Sequence, residues 1–440
     1  MSNLPLTSYL QRLGIDKLNP MQLSFMETAI LQKDVLLHSP TGSGKTLAFL
    51  LGVLEQLQDT STPATQVLIL APSRELALQI DQVFRSLQTG HKINCCYGGH
   101  PIAIELKNLQ TPPTVLVGTP GRIADHLRRG SITTESISHL VLDEFDKSLE
   151  LGFEKDMAAI VEALPQVKQH FLTSATNAVA LPEFLVLQDP IHLDFSTKRP
   201  VDEGLGIKAI LTKGKQRKED FLRLVQWVGR EATLIFCNQK AIISQVSDWL
   251  DQLNITHGTF HGDLEQKDRE LALIRFRNGS HNILVTTDLA ARGLDIPSIK
   301  HIIHYQLPHS EPEFIHRNGR TARMEATGTA YVLLEEDKPW REYLDERLEY
   351  IELPTEIAPL PPPTWETLYI SAGKKNKINK FDLVGALFKK GGLNKDELGL
   401  VVVKEYRSYA AVRSNRVEQV IRNLHKKRIK KQQVVVELAR

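Results

Sequence analysis

The chain contains 440 residues, of which 42% are hydrophobic and 24% are charged, a composition typical of a soluble globular protein with two or three domains. No apolar run approaches the roughly 18 residues that a membrane-spanning helix needs, and the N-terminal segment has no signal-peptide pattern. The three cysteines lack metal-ligand spacing, and two of them are adjacent, so we expect a reduced, cytoplasmic protein without a zinc site.

The net charge of +2 is unevenly distributed along the chain. Residues 364–440 carry 18 lysines and arginines against 7 acidic residues, a net charge of +11, which leaves a net charge of −9 for residues 1–363. A basic tail joined to an acidic body predicts a polyanionic partner for the tail. The alternative is a lysine-rich face that contacts only solvent.

In residues 1–200, short apolar runs alternate with longer helical patterns, and the first run, residues 35–37, precedes a glycine-bearing loop and an apolar helix. This order is typical of a phosphate-binding loop, although the first position of the loop pattern is serine instead of glycine. Lys45 is expected to reach the β and γ phosphates, and the Thr46 hydroxyl is expected to bind Mg²⁺. A glycine-rich turn before a core helix is the alternative. The predicted nucleotide-binding residues of the loop are Ser39, Thr41, Gly42, Ser43, Gly44, Lys45 and Thr46.

Later apolar runs in this region predict further parallel strands and an open α/β sheet, which binds ligands at the strand carboxyl ends. They are residues 67–70, 115–117, 140–142 and 170–172. Asp143 and Glu144 directly follow the third of these runs. A strand that ends in Asp-Glu is typical of a nucleoside-triphosphate site, in which Asp143 would hold Mg²⁺ through water and Glu144 would orient and deprotonate the attacking water.

A second alternating block spans roughly residues 207–350, after an aperiodic linker around residues 199–204. Its predicted strands are residues 233–236, 283–285, 301–303 and 330–333. Arg320 and Arg323 are three residues apart, so on a helix they would share one face. Presented across a cleft between the two sheets, they would act as arginine fingers on the γ-phosphate. Two arginines on a solvated helix face are the alternative.

After a stiff, proline-rich linker at residues 353–363, the tail at residues 365–440 has its own pattern of elements. The order strand, helix, strand, strand, helix, strand predicts an α+β domain like an RNA-recognition motif, or RRM. The predicted elements are strands at 368–371, 399–405, 408–412 and 433–438, and helices at 380–389 and 418–426. The segment 408–412 is predicted either as a third strand or as a bulged continuation of the second.

Residues 1–350 resemble the DEAD-box ATP-dependent RNA helicases of superfamily 2, in the motifs present and in their order. The resemblance implies two RecA-like parallel-sheet domains in tandem, an ATP-binding domain at residues 1–200 and a second domain at residues 207–350. Residues 19–22 are similar to the family's Q motif, which implies that Gln22 binds adenine, and a glutamine amide does match the N6 and N7 edge of adenine. Asp295, in a segment similar to motif V, is implied to bind ribose.

The resemblance also implies roles for residues outside the nucleotide site. Segments similar to motifs Ia, Ib and V and to the family's glycine doublet imply contacts with the RNA backbone at Arg74, Gly99, Thr119, Arg122 and Thr287. Segments similar to motifs II, III and VI imply that nucleotide binding is coupled to domain closure through Asp146, Ser174, Thr176 and His316. The implied catalytic residues are Lys45, Asp143, Glu144, Arg320 and Arg323.

Three positions depart from the family pattern. Phe145 replaces an alanine beside the acidic pair, and because the charged positions are present we expect activity with local repacking. Ala322 replaces a glycine of motif VI, which should be a mild change if the residue is helical. Upstream of the Q motif, Tyr9 is the nearest aromatic residue that could stack on adenine, although its spacing differs from the family's.

The tail resembles the C-terminal domain of the DbpA/YxiN group of bacterial DEAD-box proteins, which implies recognition of a hairpin of large-subunit ribosomal RNA and a role in ribosome assembly. The predicted RNA contacts of the tail are Tyr369, Lys374, Lys375, Lys377, Arg407 and Tyr409. Arg407 stands where the third-strand pattern expects an aromatic residue. Stacking contributes roughly 1–3 kcal/mol per base, so one or two tyrosines with several lysines suffice to anchor an RNA hairpin.

The sequence therefore predicts an RNA-stimulated ATPase that locally unwinds structured RNA, with ATP and Mg²⁺ as cofactors. Its predicted partners are structured ribosomal RNA and ribosomal precursor particles, and it is expected to be a monomer. Three alternatives stay open: a general RNA chaperone helicase without a specific target, a DNA translocase of the same superfamily, and a non-catalytic RNA-binding assembly scaffold.

Overall fold

The structure is a computed structural model that describes residues 6–40, 42–58, 63–175, 181–195, 205–288, 299–321, 327–336, 341, 343–344 and 348–439. These residues form two compact units, the first ending at residue 195 and the second beginning at residue 205. None of the described helices is both long and apolar enough to cross a membrane. The predicted linker around residues 199–204 lies outside the described residues.

The first unit is built around a seven-stranded sheet in which every pairing is parallel. Its strands are β1 (Val35–His38), β2 (Val67–Leu70), β3 (Ile93–Cys96), β4 (Val115–Gly118), β5 (His139–Leu142), β6 (Gln169–Ser174) and β7 (Ile191–Asp194). Their order across the sheet is β3-β4-β2-β5-β6-β1-β7, so β6 lies between β1 and β5. The segments that follow β1 and β5 are therefore brought to one carboxyl edge.

Helices cover both faces of this sheet because its strands are apolar on both faces. They are α1 (Leu6–Leu13), α2 (Pro20–Ala29), α3 (Lys45–Leu54), α4 (Arg74–Leu87), α5 (Ile102–Leu109), α6 (Pro120–Arg128), α7 (Phe145–Glu150) and α8 (Glu154–Glu162). In β1, Val35 and Leu37 join a buried cluster with α2, α3 and α4, whereas Leu36 joins the cluster on the other face. Burial of these apolar side chains is the main favourable contribution to folding.

The second unit contains another seven-stranded parallel sheet, in the order β10-β11-β9-β12-β13-β8-β14. Its strands are β8 (Leu205–Thr212), β9 (Thr233–Phe236), β10 (Gly258–Phe260), β11 (Ile283–Thr286), β12 (His301–His304), β13 (Gly328–Glu335) and β14 (Glu349–Tyr350). Its described helices are α9 (Arg217–Val228), α10 (Lys240–Gln252), α11 (Gln266–Arg277) and α12 (Glu311–Asn318). The segment 353–363 has no helix or strand, and it lies against this domain through Leu353 and Leu360.

The tail forms a four-stranded antiparallel sheet with two helices and an additional hairpin. The sheet consists of β15 (Trp365–Ile370), β16 (Leu398–Val403), β17 (Ser408–Arg413) and β20 (Val436–Leu438), the hairpin of β18 (Lys427–Ile429) and β19 (Gln432–Val434), and the helices are α13 (Lys380–Lys389) and α14 (Val417–Leu424). The segment 408–412 is thus a separate strand. The predicted single strand at 433–438 is wrong, because the chain changes partners at Val435, whose N–H donates to Ser371 Oγ at 2.8 Å.

The predicted fold class is confirmed: two parallel α/β domains in tandem precede a small α+β domain.

Candidate functional site

The loop at residues 39–46 connects β1 to α3 at the carboxyl edge of the first sheet. Gly42 and Gly44 have φ angles of +85° and +90°, a region that residues with a Cβ rarely adopt. This conformation allows successive backbone N–H groups to face an anion. Ser39, at the position where the pattern has glycine, forms a hydrogen bond of 2.8 Å between its Oγ and Ser43 Oγ.

Lys45 is the first residue of α3, and its side chain is buried in this loop. Its Nζ donates hydrogen bonds to Ser39 O at 2.6 Å and to Pro40 O at 3.0 Å. Triphosphate oxygens are stronger acceptors for an ammonium group than neutral carbonyl oxygens are. The lysine is therefore held within the loop, with partners that a triphosphate can replace.

Gln22, the predicted adenine-binding residue, lies at the start of α2 and contacts the same loop. Asn19 caps this helix: its Oδ1 accepts from Gln22 N at 2.9 Å, and Gln22 Oε1 accepts from Asn19 N at 3.0 Å. Gln22 Nε2 donates to Gly44 O at 3.3 Å, and a Cβ on Gly44 would lie only 2.4 Å from Nε2. The amide has a second N–H and a second lone pair for the edge of adenine.

Two of the departures from the family pattern are explained by burial. Tyr9 is 4% exposed and belongs to the hydrophobic core of the first unit, so the suggestion that it stacks on adenine is not supported. Phe145 is 1% exposed and belongs to the same buried hydrophobic cluster as Leu140, Leu172 and Ile160. The ring therefore lies in the hydrophobic core next to the acidic pair, and the expected activity stays a prediction.

Asp143 and Glu144 follow β5, and Thr173 of the neighbouring strand β6 contacts both. Thr173 Oγ1 donates to Asp143 Oδ1 at 2.5 Å and accepts from Glu144 N at 3.1 Å. Glu144 has a left-handed backbone, with φ 48° and ψ 52°, which costs roughly 1–2 kcal/mol for a residue with a Cβ. Such strain is concentrated at functional sites, where it fixes the direction of a side chain.

The electrostatics of the acidic pair suit a divalent cation. Burial raises the pKa of Asp143 to about 6 and the charge of Glu144 contributes to the rise, while the Thr173 hydrogen bond and the charge of Lys45 oppose it. A buried carboxylate beside a second carboxylate is stabilised by a bound cation. Carboxylate and hydroxyl oxygens are the ligands that Mg²⁺ prefers, so Asp143, through water, and Thr46 fit this ion.

Ser174 and Asp146, two of the predicted coupling residues, lie beside the same edge. Ser39 N donates to Ser174 O at 3.0 Å, so the phosphate loop is bonded to the end of β6. Burial raises the pKa of Asp146, while the charge of Lys147 and a hydrogen bond from Ser174 oppose that shift. The end of β6 therefore connects the phosphate loop to α7.

The predicted RNA contacts of the first unit lie on the other half of the sheet edge, where β2, β3 and β4 end. Arg74 starts α4 after β2, Gly99 follows β3, and Thr119 and Arg122 follow β4. The Arg74 guanidinium packs over the glycine doublet so closely that a Cβ on Gly99 would lie 2.9 Å from Nη1. Thr119 N donates to Cys96 O at 3.1 Å. The structure therefore brings these four residues to one edge.

In the second unit, Arg317 anchors the segment similar to motif VI. It is 1% exposed and makes a bidentate ion pair with Asp288, with Nε at 2.6 Å from Oδ1 and Nη2 at 2.5 Å from Oδ2. Nη1 also donates to Gln306 O at 2.6 Å, Nη2 donates to Asn238 Oδ1 at 2.7 Å, and the guanidinium lies 5.1 Å from the centre of the Phe236 ring. No role for Arg317 was predicted.

The helix that was expected to carry Arg320 ends before this residue. α12 ends at Asn318 with Gly319 as its cap, and Arg320 N bonds to Arg317 O at 3.1 Å, which is the spacing of a turn. Arg320 therefore lies in a turn after the helix, and the roles of Arg320 and Arg323 as arginine fingers stay predictions. His316 is 9% exposed in the last turn of α12, and Thr287 is half-buried after β11. The predicted site residues outside the described part of the chain are Thr41, Thr176, Asp295 and Arg323, and Ala322 also lies outside it.

The sheet of the tail packs against α11 of the neighbouring parallel domain. Thr367, in the first strand of that sheet, bonds to Asn278 Nδ2 at 3.0 Å and to Ser280 Oγ at 2.7 Å. Tyr409 is 3% exposed and shares a buried cluster with Ile274 of α11. This is the face on which an RRM fold stacks bases. The prediction that Tyr409 contacts RNA does not hold for this docked arrangement, because the helix covers the ring.

The other two predicted contacts on this face are partly accessible. Arg407 Nη2 and Lys404 Nζ lie 4.0 Å and 3.2 Å from Glu270 of α11. Tyr369 is half-buried, with its ring centre 6.0 Å from that of Tyr409. The tail therefore contacts α11 through Arg407 and Tyr409, two of the residues that were predicted to bind RNA.

Eight exposed cationic side chains of the tail lie on a turn after β15 and on the β18–β19 hairpin, and further exposed cations are Lys380, Lys389, Lys390, Lys395 and Arg422. The two segments are adjacent, because Lys430 Nζ donates to Lys377 O at 3.2 Å and pairs with Asp382 at 2.6 Å. We call the exposed cations of these segments the basic surface, which consists of Lys374, Lys375, Lys377, Lys426, Lys427, Arg428, Lys430 and Lys431. The cations of the hairpin were not among the predicted contacts.

Three family models match the chain. They are described as DEAD/DEAH box helicase, helicase conserved C-terminal domain and DbpA RNA binding domain, and they match residues 19–183, 216–325 and 367–438. The ATP-dependent RNA helicase DbpA of Escherichia coli (strain K12) is 34% identical, over 92% of this chain and 90% of that protein. The protein of the same name from Bacillus subtilis (strain 168) is 29% identical, over 98% of this chain and 96% of that protein.

Among solved structures, the chain is similar to S. cerevisiae Dbp5 bound to RNA and ADP BeF3, with a TM-score of 0.67 and 26% identity over 76% of this chain and 88% of that one. The matches to family models cover the phosphate loop, the acidic pair and the basic tail described above. The chain therefore belongs to the DEAD-box ATP-dependent RNA helicases, and it is a DbpA-like member with a C-terminal RNA-binding domain.

Proposed function

We propose that this helicase opens structured RNA in precursors of the large ribosomal subunit, as a cytoplasmic monomer, and that its basic surface holds it on that RNA. The observation that carries the proposal is the cluster of exposed cations on the tail, beside a sheet face that α11 partly covers. Clustered lysines and arginines bind phosphate groups and release counterions. The resemblance of the tail to the DbpA/YxiN group supports ribosomal RNA as the target.

In the proposed cycle, ATP binds at the edge formed by β1, β5 and β6. Gln22 pairs with adenine, and Lys45 exchanges its two carbonyl partners for phosphate oxygens. Mg²⁺, held by Thr46 and by Asp143 through water, would supply charge neutralisation at the β and γ phosphates. Glu144, directed by its left-handed backbone, accepts a proton from the attacking water.

RNA binds at the adjacent part of the same edge, where Arg74, Gly99, Thr119 and Arg122 lie. Contacts with the RNA backbone position a strand without reading its sequence. The resemblance implies that the two parallel-sheet domains close around ATP and bend the bound RNA strand. The bend opens neighbouring base pairs. Preference for one RNA must then come from the tail.

The direct test is ATP hydrolysis by the purified chain with ribosomal RNA from the large subunit, beside a non-ribosomal RNA of equal length and a matched DNA. We expect much stronger stimulation by the ribosomal RNA. Equal stimulation by both RNAs would indicate a general RNA chaperone helicase, and equal stimulation by DNA would indicate a translocase. Absence of hydrolysis with every nucleic acid would favour a scaffold.

The basic surface is tested by changing Lys374, Lys375 and Lys377 together to alanine. For single-stranded nucleic acid, each phosphate contact contributes about −0.7 to the slope of the logarithm of the binding constant against the logarithm of the salt concentration. Loss of three contacts should therefore reduce the magnitude of this slope for RNA binding by about 2. ATP affinity without RNA should be unchanged. Point substitutions are preferable to removal of the tail, because removal would expose Ile274 of α11.

The matched control changes three exposed lysines outside the tail, Lys107, Lys168 and Lys213, to alanine. This variant has the same net charge as the first. If the salt dependence of RNA binding decreases equally in both variants, a specific role for the basic surface is contradicted. The same holds if it decreases in neither variant.

A further inference from the structure

Outside the nucleotide site, the first unit contains a buried carboxylate that accepts four hydrogen bonds. Glu105, on α5, is 1% exposed. Its Oε1 accepts from Tyr97 N at 3.2 Å and from His100 Nδ1 at 3.1 Å, and its Oε2 accepts from Arg122 Nη1 at 2.8 Å and from His126 Nε2 at 2.9 Å. A carboxylate with this many donors is firmly fixed.

The four donors come from two segments that are separate in the sequence. Tyr97 and His100 flank the glycine doublet, and Arg122 and His126 lie on α6. Arg122 Nη2 also donates to His100 O at 3.2 Å. Glu105 therefore fastens the turn that contains Gly99 to the helix that contains Arg122, and both of these residues are proposed RNA contacts.

The protonation states follow from the hydrogen bonds. Burial would raise the pKa of Glu105, but the hydrogen bonds from His100, His126 and the Tyr97 N–H, together with the charge of Arg122, lower it to about 2. The carboxylate is thus ionised at neutral pH, and the imidazole nitrogens that face it carry protons. The other nitrogen of His126, Nδ1, lies 2.8 Å from Ser131 Oγ.

A metal site is a weaker interpretation of the same cluster. Ligand atoms of Cys96, Glu105 and His126 all lie within 4.8 Å of one another. However, the Arg122 guanidinium already neutralises Glu105 at 2.8 Å, and its positive charge would repel a cation. Both nitrogens of His126 also face hydrogen-bonding partners.

We propose that Glu105 is a positioning residue for RNA binding, which sets the side chain of Arg122 and the backbone of the glycine doublet before RNA arrives. The inference rests on the proposed contacts of Arg122 and Gly99 with RNA. A guanidinium has five N–H donors, and Arg122 uses two of them towards Glu105 and His100. Because these two hydrogen bonds hold the guanidinium in place, its remaining N–H donors can bind a phosphate with a smaller loss of conformational entropy.

The test is Glu105→Gln, measured as the RNA concentration that gives half-maximal ATPase stimulation. The glutamine side chain replaces one carboxylate oxygen with an NH2 group, which cannot accept the hydrogen bonds that this oxygen accepts. It also lacks the negative charge that orients Arg122. We expect the midpoint to rise roughly 10- to 100-fold, the loss expected for a charge-assisted hydrogen bond. A partly unfolded sample would lower the maximal rate and leave the midpoint unchanged, so the midpoint separates positioning from stability.

Three further variants make the result decisive. Asp125→Asn, on α6, makes the same charge change in a surface pair with Arg129, and its midpoint should equal that of the wild type. If Arg122→Ala leaves the midpoint unchanged, the proposed RNA contact fails. If Arg122→Ala raises the midpoint but Glu105→Gln does not, the positioning role fails. When both single changes raise it, the double variant should be no worse than Arg122→Ala alone, because Glu105 acts through Arg122.

Discussion

Glu144→Gln should slow ATP hydrolysis by about 100- to 10,000-fold, the usual contribution of a positioned general base, while ATP and RNA affinities stay near those of the wild type. Glutamine has almost the same shape as glutamate but cannot accept the proton of the attacking water. The backbone of residue 144 should also be unchanged, because its N–H still donates to Thr173 Oγ1, as it does at 3.1 Å in the wild type. Single-turnover hydrolysis with saturating RNA measures the chemical step directly.

The matched control is Glu154→Gln, an exposed glutamate at the start of α8, which should turn over at the wild-type rate. Binding is measured separately, with a fluorescent ATP analogue and a labelled RNA. A Glu144→Gln enzyme with wild-type single-turnover hydrolysis would remove Glu144 from the role of general base. Loss of ATP binding in this variant would instead indicate that Glu144 has a structural role in the site.

The nucleotide site was predictable where its chemistry is local in the sequence. The loop at residues 39–46 and the pair Asp143 and Glu144 each carry their pattern within a few residues, next to a strand. Thr173 has no such pattern, because its role depends on β6 lying between β1 and β5. The neighbouring Ser174 was predicted from the resemblance, yet alternation along the strand gives the two residues different partners.

Contacts between distant segments were the part that the sequence could not predict. A tyrosine at an RRM aromatic position predicts base stacking, but Tyr409 is covered by α11, which lies more than 130 residues earlier. Glu105 likewise joins segments whose proximity depends on the order β3-β4-β2 at the sheet edge. Arg320 and Arg323 would share one face only on a helix, and their spacing does not show that the preceding helix ends at Asn318.

Arg317→Ala should destabilise the second unit by about 3–5 kcal/mol, the usual cost of removing one partner from a buried ion pair. Asp288 would lose both arms of its bidentate partner, and Gln306 O and Asn238 Oδ1 would each lose a donor. Alanine also leaves a cavity beside Phe236. With an m-value of roughly 3 kcal/mol per M, the urea midpoint should fall by about 1–2 M.

All four tryptophans of the chain follow residue 226, so tryptophan fluorescence reports on the second unit without a signal from the first. The control, Arg230→Ala, removes an exposed arginine near the end of α9. It should change the free energy of unfolding by less than about 0.5 kcal/mol. A similarly small change in Arg317→Ala would show that the ion pair is not needed for stability. The expected large change would show that Arg317 holds the segment of Arg320 against the segment of Thr287. The link is the ion pair of Arg317 with Asp288, which directly follows Thr287. The position of the segment that carries Arg320 would then depend on the buried ion pair between Arg317 and Asp288.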